Sequence, residues 1–244
     1  MVLNRGFVSL VMICAVGCFG APLQAAVNLA GTYNDAGSGG NYTNASSIPV
    51  SSTDLINGLA PIDTNYVGTY EAFGGTTAPM TDGSTGLGND DPSNNTNVLF
   101  DLGGGPQPWY LTYQLPGGGS YNIFSISVTT GHQDSRVNQS YDILVSQDNV
   151  LYTSLSGGAG FQYNPSGGNG GAAQSVLTDS LGGLLADHIS YVQFQDLSGG
   201  NDVYRELDVQ GQATPEPATL AIWGLGAFGF AAVGMVRRRN KKAS

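Results

Sequence analysis

His132, Asp134 and Arg136 alternate along one short segment, and in an extended chain alternate side chains project to the same side. A histidine, a carboxylate and a guanidinium grouped in this way suit the recognition of hydroxyls, because arginine presents a rigid fork of donors and aspartate accepts. That chemistry points to a sugar. Arg136 has a second reading as a structural pin that pairs with a nearby acid and holds its loop. Tyr152, Phe161 and Tyr163 offer either an aromatic platform beside such a site or ordinary core. Catalytic chemistry has fewer carriers. The chain has two histidines, His132 and His188, and its only cysteines are Cys14 and Cys18. No serine stands in the strand–turn–helix context of a nucleophile, and among 18 acids no pair is singled out for glycoside cleavage. Asn89-Asp90-Asp91-Pro92 lacks the spacing of an EF-hand loop and reads as a solvated turn. Binding is favoured over turnover.

The charge balance sharpens this. Between Val27 and Ala213 the basic residues are Arg136 and Arg205, against 17 acids, for a net charge of −15. Such a surface repels phosphates, since nucleic acid binding draws on lysine and arginine to release counterions. Nucleic acid is excluded as a partner. Hard oxygen donors abundant in the absence of thiols favour divalent cations such as calcium as counterions, while the acids also keep an exported protein soluble.

These residues need a scaffold, and the pattern predicts strands. Short runs rich in tyrosine, valine, isoleucine and threonine recur between clusters of glycine, asparagine and serine: 97–102, 109–115, 121–130, 141–146, 150–155, 189–196 and 203–210. A further strand is expected near 27–32. In the run 122–129, Ile123, Ser125, Ser127 and Thr129 oppose Phe124, Ile126 and Val128, so one face enters a core. No sustained helical period appears, and Gly167–Gly171 reads as a loop. The fold class that follows is an all-β antiparallel sandwich of one domain, 27–213.

Two stretches carry a family likeness. Gln139-Ser140-Tyr141-Asp142-Ile143-Leu144-Val145-Ser146-Gln147-Asp148 and Arg205-Glu206-Leu207-Asp208-Val209-Gln210-Gly211 resemble the "Tyr-x-Ile-x-Val-Ser-x-Asp" and closing "Arg-Glu-Leu-x-Val-x-Gly" strands of discoidin, or galactose-binding-like, jelly rolls. Thr81-Asp82-Gly83-Ser84 is similar to the Asp-Gly loop of that family, although the tryptophan that commonly follows it is missing and Trp109 comes much later. The resemblance implies a structural calcium held by Asp82 and Glu206, with backbone carbonyls completing the shell. The other reading of Glu206 is an ion pair with Arg205 or Arg136.

The two ends of the chain read as addresses. Arg5, an apolar stretch from Phe7 to Phe19 and the small residues at Ala25-Ala26 predict a signal peptide and its helix over 1–26. At the other end Pro215-Glu216-Pro217 is followed by 19 residues without a charge, Ala218–Val236, and by Arg237, Arg238, Arg239, Lys241 and Lys242. At about 1.5 Å per residue the run spans a hydrocarbon core of about 30 Å, and its basic end stays in the cytoplasm. The region 214–244, with its transmembrane helix at 218–236, resembles the PEP-CTERM sorting signal. That resemblance implies an exosortase-type membrane protease as partner, with cutting near Pro-Glu-Pro after a transient stay in the inner membrane and then a place at the cell surface or outside it. Exosortase systems accompany exopolysaccharide, so the expected function is a non-enzymatic surface or matrix protein that binds polysaccharide. The competing readings are a structural envelope or biofilm component without a discrete ligand site, and a secreted hydrolase.

Overall fold

The structure is a computed structural model that describes residues 26–35, 48–65, 78–85, 98–100, 108–165, 169–198 and 202–214. Residues 1–25 of the predicted signal peptide, the 218–236 segment and the sorting residues 215–217 and 237–239 lie outside these. Among the described residues no helix is long and apolar enough to cross a membrane.

The chain forms two antiparallel sheets. The strands are β1 (Val27–Asp35), β2 (Asp63–Thr64), β3 (Val98–Phe100), β4 (Trp109–Gln114), β5 (Tyr121–Asp134), β6 (Gln139–Ser146), β7 (Thr153–Ser154), β8 (Phe161–Tyr163), β9 (Asn169–Asp179), β10 (Ala186–Ile189), β11 (Tyr191–Asp196) and β12 (Asp202–Ala213). One sheet runs β1-β9-β5-β12-β3, with β10 also on β5, and the other runs β2-β4-β11-β6-β7, with β8 also on β6. Consecutive strands often change sheet, so the inward faces of both build one core. Ile126, Val128, Leu177, Leu207 and Val209 come from the first sheet, and Leu111, Ile143, Val192 and Phe194 from the second. Aromatic rings tie the layers together: Phe194 stands edge-on to Tyr204 at 4.8 Å and stacks on Tyr141 at 5.7 Å. Phe161 is also core, its ring 5.8 Å from Tyr141.

Three departures from the sequence pattern have local causes. Ile123 is buried while Phe124 is exposed, the reverse of simple alternation with Ile126. The register shifts there, Ser125 facing Gln210 and Ile123 facing Gly211. The bulge leaves Phe124 unpaired and switches which parity faces inward. The run 150–155 keeps only Thr153–Ser154 as strand, because Asp148 Oδ1 accepts the N–H groups of both Val150 and Leu151 and closes a turn. Asn169–Gly171, read as part of a loop, opens β9 instead. Its backbone is paired on both sides, Gly171 with Asp35 and with His132, and sheet hydrogen bonds replace the missing side-chain packing.

Candidate metal centre and the loop end of the long strand

Beyond the three residues that pair with β3, the edge of β12 is covered by the chain around Asp54. Leu55 N–H donates to Val209 O at 2.9 Å. Asp54 Oδ1 accepts from Ile56 N at 2.9 Å and from Val209 N at 3.3 Å, so the carboxylate substitutes for a neighbouring strand. Glu206 and Asp208 alternate on the same face of β12. Glu206 Oε1 accepts from Gly83 N at 2.9 Å, and Asp208 accepts from Ser51 N at 3.2 Å and Ser127 Oγ at 2.9 Å. Asp54, Glu206 and Asp208 are all buried and bring one carboxylate oxygen each within 4.8 Å of one another. This acidic cluster has the composition to hold a metal ion.

Burial disfavours the charged form of all three carboxylates, and their mutual repulsion adds to this at Glu206 and Asp208. Burial pushes Glu206 up to about 9, and the charges of Asp208, Asp82 and Asp54 add to the rise. Asp208 is pushed up to about 6 by burial, with Asp54 adding to it. Asp54 is also raised, chiefly by burial. Asp54 Oδ2 and Glu206 Oε2 are buried without a hydrogen-bond partner. A buried anionic acceptor left alone is costly, and either a proton or a cation relieves it. An all-oxygen set of three carboxylates suits a hard divalent cation rather than one that prefers sulfur or imidazole.

Of the predicted pair, Glu206 belongs to the cluster and Asp82 does not, although its loop reaches Glu206 through the Gly83 amide. Asp82 follows the 3-10 turn Ala78–Thr81, is exposed, caps its own turn by accepting from Ser84 N at 2.9 Å, and precedes the Gly83 amide that binds Glu206. Arg205, the expected partner of Glu206 in the other reading, is fully buried and donates Nε to Gly131 O at 2.8 Å and Nη1 to Thr85 O at 2.9 Å. The carboxylates that converge with Glu206 are Asp54 and Asp208, which sequence reasoning missed. Asp208 has a signal, its i, i+2 spacing from Glu206. Asp54 has none, because its partner Val209 is 155 residues away.

Gly83 is the hinge of this loop. Its φ is 73°, in the left-handed region, and a Cβ there would meet Ser52 Cα at 2.8 Å and Asn57 Oδ1 at 2.9 Å. Gly83→Ala is expected to cost about 1–3 kcal/mol through backbone strain and to weaken cation binding by moving its amide from Glu206. Urea unfolding and a calcium titration of the same variant check both effects.

The predicted ligand residues lie at the opposite end of the long strand from Tyr121. His132 pairs with Gly171 and Asp134 with Asn169, so the backbone stays extended through Asp134. Arg136 is half-buried in the 3-10 turn Ser135–Val137, and the side chains of 132–135 lie outside the described residues. His188, the other histidine, is exposed in β10 with Nδ1 3.5 Å from its neighbour Asp187.

Comparison with known proteins adds an address and a set of neighbours. Residues 213–239 match the PEP-CTERM protein-sorting motif, which implies export, processing by an exosortase and sorting to the cell surface. The sequence has no significant match among curated proteins. Among solved structures it is similar to an allantoicase, at 15% identity and a TM-score of 0.46, covering 68% of this chain and 45% of that one. It is also similar to the lectin binding domain of lectinolysin complexed with Lewis b, at 12% identity and a TM-score of 0.44, covering 68% of this chain and all of that one. A third is CpGH89CBM32-5 from Clostridium perfringens in complex with GalNAc-β-1,3-galactose, at 16% identity and a TM-score of 0.37, covering 75% and 94%. The chain spans less than half of the allantoicase. The protein is a two-sheet β-sandwich that carries a PEP-CTERM sorting motif at its C-terminal end.

Proposed function

We propose that this is an exported, non-enzymatic surface or matrix protein that binds polysaccharide, and that calcium stabilises its sandwich. The observation that carries the reading is the sorting motif itself, joined to the end of a sandwich whose longest strand runs away from it. β5 begins beside the last residues of β12, Tyr121 facing Ala213, and at about 3.3 Å per residue it delivers His132 and Asp134 about 40 Å away. A protein held or released through its C-terminus would present that end outward. A guanidinium, a carboxylate and an imidazole carried by that end would suit sugar hydroxyls as donor fork, acceptor and ring. Calcium is the cation we assign to Asp54, Glu206 and Asp208, with Asp82 at the rim, because it accepts carboxylates and carbonyls in irregular numbers.

Arg136→Ala is expected to abolish retention of the purified domain on its polysaccharide with little change in melting temperature, measured on a glycan array beside wild type. Equal binding by a folded variant removes the site. A hydrolysis screen on the bound glycans tests the non-enzymatic part, and turnover by wild type would overturn it.

A further inference from the structure

The chain leaves the sandwich under tight control. Thr214 donates its backbone N–H to Ser120 O at 2.8 Å and its hydroxyl to the same oxygen at 2.9 Å. Only Pro215, Glu216 and Pro217 then precede the uncharged run that starts at Ala218. Four residue steps reach about 14 Å when fully extended, and the two prolines stiffen them.

Several turns gather at the end of the sandwich that holds Thr214. Ser120 leads into β5, whose first residue Tyr121 pairs with Ala213 and with Ile189. Ser190 N–H donates to Ser146 O, the last residue of β6, which opens the turn 147–152. β9 ends at Asp179 opposite Val27, and the turn 180–185 follows it. These two turns carry the most exposed large apolar side chains among the described residues: Val150 at 76%, Leu151 at 77% and Leu181 at 92%, with Leu184 beside them. The two arginines of the domain lie elsewhere, Arg205 near Gly131 and Arg136 beyond Asp134. Nearer by, Asp148 and Asp179 turn their carboxylates onto their own turns, Asp148 to Val150 and Leu151 and Asp179 to Gly183 N.

We propose that, before processing, this end of the sandwich lies against the lipid bilayer, with Val150, Leu151, Leu181 and Leu184 in its interface. The inference rests on the reading of 218–236 as a membrane-crossing segment. The tether makes the contact intramolecular, so modest apolar burial suffices where the same turns on a free domain would not hold it to lipid. Tryptophan, lysine and arginine are missing from these turns, which fits a contact that must be given up once the tether is cut. It also sets the approach of the protease. Thr214 is still bonded to Ser120, so a cut near Pro-Glu-Pro takes place in the narrow gap between sandwich and lipid.

The test uses the full chain with Cys14 and Cys18 replaced by serine, expressed in a host without the sorting protease and reconstituted in phosphatidylcholine vesicles. Single cysteines at Leu151 and Leu181, and at exposed Gln162 in β8 on the far end as reference, are labelled with an environment-sensitive fluorophore. Labels at Leu151→Cys and Leu181→Cys are expected to shift to the blue and to lose severalfold in iodide quenching relative to Gln162→Cys, and both effects are expected to vanish when the chain is cut after Thr214. Vesicle flotation separates the two ideas. A chain that does not float overturns the membrane-crossing reading, whereas a floating chain whose three labels quench equally overturns the apposed end.

Discussion

Calcium is expected to raise the melting temperature of the purified domain at pH 8, and chelation is expected to make stability depend on pH in the opposite sense from most proteins. Metal that binds only the folded state adds RT ln(1 + [L]/Kd), about 2.7 kcal/mol at a hundredfold excess over Kd. Without metal, Glu206 keeps its proton in the folded chain up to about 9 and loses it near 4.5 when unfolded, and Asp208 does the same between 3.8 and about 6. In that window the folded state binds more protons, so stability falls as pH rises, by about 1.4 kcal/mol per pH unit for each proton kept. The chelated protein should therefore melt higher at pH 5 than at pH 8. Calcium competes with those protons, so its own increment should shrink on acidification. Glu206→Gln keeps the shape and removes the charge, and it is expected to lose the calcium increment and flatten the chelated slope. Equal melting with calcium and with chelator at pH 8 would remove the metal centre.

What the amino-acid order reveals here follows the range of each interaction. β4, β6 and β12 are visible as β-branched and aromatic runs because their side chains pack against neighbours on both sheets, and that requirement acts at every residue. β9 is hidden, since Asn169-Gly170-Gly171-Ala172-Ala173 packs little side chain and is held by two backbone ladders instead. The bulge at Phe124 is equally hidden: it depends on where β12 changes register, and no residue of β5 announces it. The acidic site divides in the same way. Glu206 and Asp208 share a face by strand geometry alone. Asp54 joins them only because the chain before Leu55 is laid along an edge that β3 leaves open. The sorting motif is the most legible element of all, because Pro-Glu-Pro, an uncharged run and a basic cluster form a linear pattern that needs no fold to be seen.

Replacing Arg205 by alanine is expected to be the most damaging single change in the described core. Arg205 is among the largest fully buried side chains of the domain, and it sits where β12 shifts register, between Tyr204 opposite Thr130 and Glu206 opposite Thr129. The extra residue of the bulge turns its guanidinium toward two backbone carbonyls, Gly131 O and Thr85 O. The fit is close, for a Cβ on Gly131 would come within 2.5 Å of Arg205 Nε. Truncation leaves both carbonyls without these donors, opens a cavity and removes a positive charge from a domain at −15. Hydrogen bonds to a charged group contribute about 1.5–3 kcal/mol each, so losing two of them costs about 3–6 kcal/mol. Arg205→Lys should recover only part of this, because an ammonium is a point charge and cannot span two carbonyls with a fixed fork. The consequence reaches both the acidic cluster and the start of the His132 segment. Thr85 follows the Asp82-Gly83 loop that binds Glu206, and Gly131 immediately precedes His132. Denaturant unfolding of Arg205→Ala and Arg205→Lys measures the cost, and a calcium titration of Arg205→Lys asks whether the loop has moved. If Arg205→Ala unfolds within about 1 kcal/mol of wild type, inside the range of an ordinary substitution, Arg205 is not the pin that holds this junction.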